Sequence, residues 1–257
     1  MLDLSNAQWS SLYNIFSFGL ISMLACTVYT LVGQGRVLAK YRSALVMSSM
    51  VTFIAGYHYF RIFNSFNEAS IKNVVSVGSS HGSFNEAYRY VDWILTVPLL
   101  LVEVVAVLAL AKAVSNSMMA RLVPASAAMI ILGFPGEISS DISTKLLFGG
   151  LSTIFFLYIL YVLFVELGKS LDRQPEGVAA TIGKLRLLLT ATWCVYPISY
   201  LIPILVRHPS AAEAANLFTA RQIGYTVADV LAKCVFGLTI YKIARMKSVA
   251  EGMVEVH

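Results

Sequence analysis

The chain has 257 residues, of which 58% are hydrophobic and only 13% charged, with a formal net charge of +5. A soluble domain of this size carries about 25% charged residues, so the deficit excludes an ordinary water-soluble fold and points to lipid as the solvent. A pI near 9.1 and a mean hydropathy of +0.73 do not describe a nucleic-acid binder, because the basic residues lie between apolar segments and form no patch.

Crossing about 30 Å of hydrocarbon takes about 20 apolar residues in a helix. Seven segments qualify in chain order, at 8–33, 41–63, 88–111, 119–138, 145–169, 181–206 and 216–246. The start, MLDLSNAQ, lacks the basic run of a cleaved signal peptide, so the first segment is expected to be a retained span. The second carries His58, and the connection after it (64–87) contains VVSVGSSHGSF, which reads as two brief strands around a turn. The fourth is the weakest, being short and interrupted by Pro124 and Pro135. The expected fold is an all-α membrane protein: one seven-helix domain over 1–257 with a short β-hairpin in its second connection. No soluble domain, internal repeat or low-complexity tail is visible.

Seven spans put the termini on opposite sides. One side holds Arg36, Lys40, Arg42, Lys112, Arg121, Lys169, Arg173, Lys184, Arg186, Lys242, Arg245 and Lys247, which is 12 basic residues. The other has at most 6, namely Arg61, Lys72, Arg89, Lys145, Arg207 and Arg221. The richer side is therefore expected to face the cytoplasm, with the N-terminus outside and the chain multi-pass in the cell membrane. Cys26, Cys194 and Cys234 lie in apolar stretches without a zinc or redox spacing and read as buried inert thiols. No metal site is expected.

Setting the loops aside leaves deep charges in two helices: Asp92 and Glu103 in the third, Asp229 and Lys233 in the seventh, with Arg89 one turn before Asp92. Charges inside a membrane cost about 2.5–3.5 kcal/mol each on insertion scales, so they are functional candidates. At about 100° per residue, the eleven steps from Asp92 to Glu103 come to about 1100°, close to three full turns. The two carboxylates therefore share a face with Arg89 and Thr96, about 16.5 Å apart along the axis. Asp229 and Lys233 stand at i and i+4. A buried lysine is the amine most readily converted to a Schiff base with an aldehyde, and that imine, when protonated, requires counterions such as Asp92 and Asp229. Trp93 adjoins Asp92, while Trp193, Tyr196 and Tyr200 fall on one face of helix six around Pro197. Alone, such a stripe is core packing more often than a ligand box. Beside a buried lysine it fits a long, flat, apolar chromophore.

RYVDWILTVPLL (89–100), WCVYPISY (193–200) and DVLAKCVFG (229–237) resemble retinal-binding segments of the microbial rhodopsins, and the likeness covers nearly the whole chain. YHYFRIFNSF (57–66), GFPGEIS (133–139) and GLSTIFFLYILYVLFVEL (150–167) are most similar to the xanthorhodopsin and Gloeobacter-rhodopsin branch of proton pumps. The resemblance implies all-trans retinal bound covalently to Lys233, in a pocket of Trp93, Thr96, Leu100, Met129, Gly133, Ser152, Phe156, Trp193, Tyr196, Pro197 and Tyr200. It implies a light-driven outward proton pump, an ion transporter and not an enzyme. Asp92 corresponds to the counterion and proton acceptor, Asp229 to the second counterion, and Glu103 to the internal proton donor. A donor in an apolar half-channel keeps its proton until needed, since burial favours the neutral acid.

Arg89 would separate Asp92 from the exit. His58, a packing residue on spacing alone, corresponds to a histidine that hydrogen-bonds the acceptor. Leucine at 100 implies green absorption. Gly149 matches a position where a missing aromatic would open a window to lipid and to a hydroxylated carotenoid; as part of a GG pair it reads equally as a packing glycine. One departure is Arg221, eight residues before Asp229, where bacteriorhodopsin has a proton-release carboxylate, so that release complex is not carried over. The resemblance further implies lipid contacts and a homo-oligomer, trimer or pentamer. A sensory photoreceptor of the same fold is disfavoured by Glu103, and a non-retinal proton-coupled transporter would show no visible band with retinal.

Overall fold

A computed structural model describes residues 1–78, 82–175 and 177–253 of the chain, without the side chains of 172 and 173. The helices are α1 (Asn6–Gly33), α2 (Ala39–Ala69), α3 (Ala87–Leu108), α4 (Lys112–Ile138), α5 (Ile142–Tyr161), α6 (Val178–Leu205), α7 (Ala211–Asp229) and α8 (Phe236–Ala250). A π-helical segment, Val230–Val235, joins α7 and α8 into one rod. Seven rods result. Each packs against its sequence neighbours, and the last closes on α1 and α2.

Six rods are long and apolar enough to cross a membrane, the last being Ala211–Ala250. The exception is α2. Its 31 residues reach about 46 Å at about 1.5 Å per residue, so length is not the difficulty. Its hydropathy is low because it buries polar side chains, including Ser48, Ser49, Thr52, His58 and Ser65. Those groups are used inside the bundle: Thr52 bonds Thr27 at 2.8 Å and Ser49 bonds Thr30 at 2.7 Å, both on α1. The weakest span by composition is thus α2. The expected weak fourth segment is a 27-residue helix beginning at Lys112, with both prolines inside it.

The outer surface is apolar. Phe18, Ile21, Val28, Ile154, Leu157 and Ile198 are all exposed, and the most apolar stretch of the fifth rod is only 17% buried. In water such a surface would drive association; in lipid it is the solvent-facing side.

The second connection holds a hairpin of β2 (Ser70–Ile71) and β3 (Val74–Val75), and β3 also pairs with β1 (Leu2–Asp3) at the N-terminus. The turn is Lys72–Asn73, with φ of 48° and 67°. Two positive φ values give the mirror-image turn whose twist suits a two-residue hairpin. A further pairing joins Val77 to Phe84, and Phe84 N–H donates to Ser76 O at 2.7 Å. Residues 79–81, within the expected turn of VVSVGSSHGSF, lie outside the described residues.

Candidate functional site

The deep charges meet at one point. Lys233, on the π-helical segment, donates from Nζ to Asp92 Oδ2 at 2.6 Å and to Asp229 Oδ1 at 2.8 Å. Arg89 lies one turn before Asp92 on α3, with Nη1 3.6 Å from Asp229 Oδ2. Lys233, Asp92, Asp229 and Arg89 are each at most 2% exposed. Two cations and two carboxylates make a neutral set, the condition under which buried charges are tolerable. Asp229 is the better held of the acids: Tyr196 OH donates to its Oδ1 and Tyr59 OH to its Oδ2, both at 2.8 Å. Asp92 Oδ1 has no hydrogen-bond partner among the described residues.

A cavity of about 330 Å³ opens from this cluster between α3, α4, α5 and α6. That is at the lower end of the ~300–1,000 Å³ of small-molecule sites. Of the expected pocket residues, Trp93, Leu100, Met129, Gly133, Gly149, Ser152, Phe156, Trp193, Tyr196, Pro197, Tyr200 and Lys233 all line it. Thr96 does not; its hydroxyl donates to the backbone carbonyl of Asp92 at 2.9 Å, and it is fully buried behind the wall. The aromatic walls are packed edge to face, with Trp93 and Tyr196 centroids 4.7 Å apart at 62°. Glycine shapes one end: a Cβ on Gly133 would meet Ser152 Oγ at 3.4 Å, and one on Gly149 would meet the Tyr200 ring at 2.7 Å.

Glu103 sits apart. It is fully buried, receives one hydrogen bond from Ser48 Oγ at 2.5 Å, and its Oε1 has no partner among the described residues. Ser48 reaches it past Gly237, where a Cβ would lie 2.9 Å from Ser48 Oγ. His58 is buried, with its Nδ1 unpartnered among the described residues. The expected His58–Asp92 hydrogen bond is not formed in the structure, although each residue has an orphaned atom to give to it.

Several residues of the site went unread in the sequence. Gln222, Tyr225, Asp229 and Lys233 form one helical stripe, so the spacing from Asp229 could have found Gln222 and Tyr225. Gln222 Oε1 accepts from Arg89 Nη2 at 2.8 Å. The Tyr225 ring lies 5.8 Å from that of Tyr196, nearly parallel, and 5.0 Å from the Arg89 guanidinium. Tyr59 and Ser48 come from α2, and nothing in their spacing marks them.

An aldehyde chromophore fits these residues on their chemistry: an amine at the cavity floor, aromatic walls, and a carboxylate oxygen and the Trp93 indole N–H left unpaired. A family profile described as "Bacteriorhodopsin-like protein" matches residues 11–246. The green-light absorbing proteorhodopsin of gamma-proteobacterium EBAC31A08 is 30% identical over 239 residues, covering 92% of this chain and 88% of that protein. The crystal structure of xanthorhodopsin, described as a light-driven ion pump with dual chromophore, superposes with a TM-score of 0.89 at 45% identity, covering 98% of both chains. That of a thermophilic rhodopsin gives 0.89 at 40%, covering 98% of this chain and 100% of the other. With a match running from the first rod to the seventh, the chain is a multi-pass membrane protein that belongs to the bacteriorhodopsin-like family.

Proposed function

We propose that the protein is a light-driven pump that moves protons out of the cell, with all-trans retinal carried on Lys233. The observation that carries this reading is Lys233 Nζ, held between Asp92 and Asp229 at the floor of an aromatic cavity, with Glu103 on the same helix as Asp92. When bound as an imine to Lys233, retinal supplies light absorption and an isomerisation that moves the nitrogen's proton relative to its acceptors.

Lys233 Nζ holds that proton between the two aspartates. Asp92 is the acceptor, because its Oδ1 is unengaged, whereas both oxygens of Asp229 are already bonded. Asp229 stays ionised as the remaining counterion. Glu103, hydrogen-bonded by Ser48, returns a proton to the Lys233 nitrogen from the far side. Arg89, fixed by Asp229 and Gln222, bars return from the acceptor's side. His58 tunes Asp92 once its Nδ1 turns to the free carboxylate oxygen. The 12 basic residues of the alternate connections and the C-terminal tail, against at most 6 on the other side, support an orientation with that side in the cytoplasm, the N-terminus outside and the chain in the cell membrane. α3 then runs inward, so Asp92 lies nearer the exterior than Glu103 and the transfer is outward.

The aromatic cavity also supports a second chromophore. Its wall between α5 and α6 includes Gly149, exposed Gly150 and exposed Pro197, so one end faces lipid. A hydroxylated carotenoid laid there would supply additional light absorption.

Cells expressing the protein with retinal should acidify their medium under illumination, with a protonophore abolishing the change. Lys233→Ala should leave a folded protein with neither a visible band nor acidification; a covalent retinal adduct in that variant would overturn the assignment.

Glu103→Gln should keep the colour and slow reprotonation of the Lys233 nitrogen by about 10²-fold or more, the range set by losing a positioned proton donor. Ser48→Ala should slow it less. An unchanged photocycle in Glu103→Gln at alkaline pH would remove Glu103 from the donor role.

Protonating Asp92 removes a counterion charge and should shift the band to the red. His58→Asn should displace the midpoint of that colour titration. Identical midpoints would return His58 to packing alone.

Xanthophylls added to the purified protein should acquire induced circular dichroism. Gly150→Trp is the cleaner block, since a Cβ there meets nothing within 4 Å, whereas one at Gly149 strikes Tyr200. It should abolish the induced signal and spare the retinal band. If several hydroxylated carotenoids give no signal with the wild type, the cavity serves retinal alone.

A further inference from the structure

The end of the bundle that carries the β-sheet holds a second group of charges that the pumping scheme leaves unused. Glu86, at the start of α3, is paired with Arg221 of α7, the guanidinium meeting both carboxylate oxygens. Gln222 Nε2 donates to Glu86 Oε1 at 2.5 Å, while Gln222 Oε1 accepts from Arg89 Nη2 at 2.8 Å. Gln222 is fully buried, and both ends of its amide are engaged. Its orientation is therefore dictated: the oxygen must face the guanidinium and the nitrogen must face the carboxylate. A continuous set of contacts thus runs from Lys233 through Asp229, Arg89 and Gln222 to Glu86. Glu86 is the member that meets water, with a side chain 23% exposed.

We infer that Glu86 is the exit carboxylate of the proton path, and that Gln222 couples it to the position of Arg89. This rests on the outward-pump reading above. After the pumping stroke the proton resides on Asp92. It then passes to Glu86, so that Asp92 becomes a carboxylate again and Glu86 a carboxylic acid, and Glu86 gives the same proton to outside water.

Arg221 makes this possible without stranding a charge. Its guanidinium lies 3.8 Å from Glu137 of α4 as well as against Glu86. While Glu86 carries the proton and is neutral, Arg221 keeps Glu137 as its anion. An arginine set between two carboxylates lets one of them be protonated without a buried, unpaired cation, which would be strongly unfavourable. A protonated Glu86 is also a weaker acceptor for Gln222 Nε2, which loosens the hold of Gln222 on Arg89. Arg89 then turns towards Asp92, newly ionised, and the path closes behind the departing proton. Arg221, occupying the position of a release carboxylate elsewhere in the family, is here the partner of the exit group.

The test compares wild type, Glu86→Gln and Glu86→Asp, each loaded with retinal in lipid vesicles, by flash photolysis with an impermeant pH dye and time-resolved infrared detection of the Asp92 carboxylic acid. Glu86→Gln should retain the visible band and the rate at which Asp92 is protonated. It should delay both loss of the Asp92 acid signal and appearance of the proton in the medium by about tenfold or more, and Glu86→Asp should restore most of the speed. Identical release times in wild type and Glu86→Gln overturn the inference while leaving the pump reading intact. No light-driven proton release from the wild type would instead overturn the pump reading itself. If Glu86→Gln forms no band, Gln222→Leu carries the test: freed from Gln222, Arg89 should shift the midpoint of the Asp92 colour titration, and an unmoved midpoint overturns the coupling.

Discussion

A lysine cation in the middle of a lipid-facing bundle is the constraint around which this molecule is arranged. Lys233 is 2% exposed, and no single carboxylate would leave the interior neutral once Arg89 is counted. Two aspartates on two different rods are needed, and α3 and the α7–α8 rod must come close enough for both to reach one nitrogen. The π-helical segment at Val230–Val235 places Lys233 where that happens. Such a segment adds a residue to the turn, and sites of function are where its cost is tolerated. Tyr59 reaches Asp229 only because α1 has glycine at 19, where a Cβ would lie 2.6 Å from the tyrosine ring. Helix packing on the side away from the cavity is thus subordinate to the charge cluster.

Much of this was legible from periodicity. Segments of about 20 apolar residues announce rods, and charges within them announce a site, because lipid makes both signals strong. The i, i+4 pair of Asp229 and Lys233, and the three-turn spacing of Asp92 and Glu103, carry the geometry of one helix each. What joins helices is not in the spacing. Ser48 is one serine among several in α2 and becomes Glu103's partner only because α2 and α8 approach at Gly237. The hairpin turn at Lys72–Asn73 was obscured for a different reason: a turn with two positive φ values usually advertises itself with Asn-Gly, and here a lysine occupies the first position.

The two carboxylates of α3 are of the same chemical class, are about 16.5 Å apart, and live in different surroundings. Asp92 bonds the Lys233 cation through one oxygen, and beside it Asp229 is held by Arg89 and Tyr59, so this end of the helix is rich in charged and polar groups. Glu103 has one hydroxyl, that of Ser48, on a stretch of α3 whose Leu100, Val104 and Val107 are buried in the apolar core. The ionised Asp92 faces the Lys233 cation, whereas a charge appearing on Glu103 meets the Ser48 hydroxyl. In the proposed scheme that contrast supplies direction. A proton leaving the lysine nitrogen is drawn to the end where the resulting rearrangement of charge is already solvated by protein groups. The opposite end parts with its proton only after the nitrogen has lost its own.

The same contrast extends to the ends of the bundle. Beyond Asp92 the polar contacts continue through Arg89 and Gln222 to a surface carboxylate. Beyond Glu103 the α3 rod ends at Leu108, whose carbonyl receives Lys247 Nζ at 2.6 Å, and the buried Lys247 stem closes over that end. One half of the interior is therefore connected to a surface carboxylate by hydrogen-bonding groups, and the other ends under a buried lysine that bonds the last carbonyl of α3. A pump needs its two ends to differ in just this respect: a nitrogen open to both sides at once would pass protons down their gradient. In this chain the difference lies in side chains on one helix, with a polar chain of contacts at one end and a lysine cap at the other.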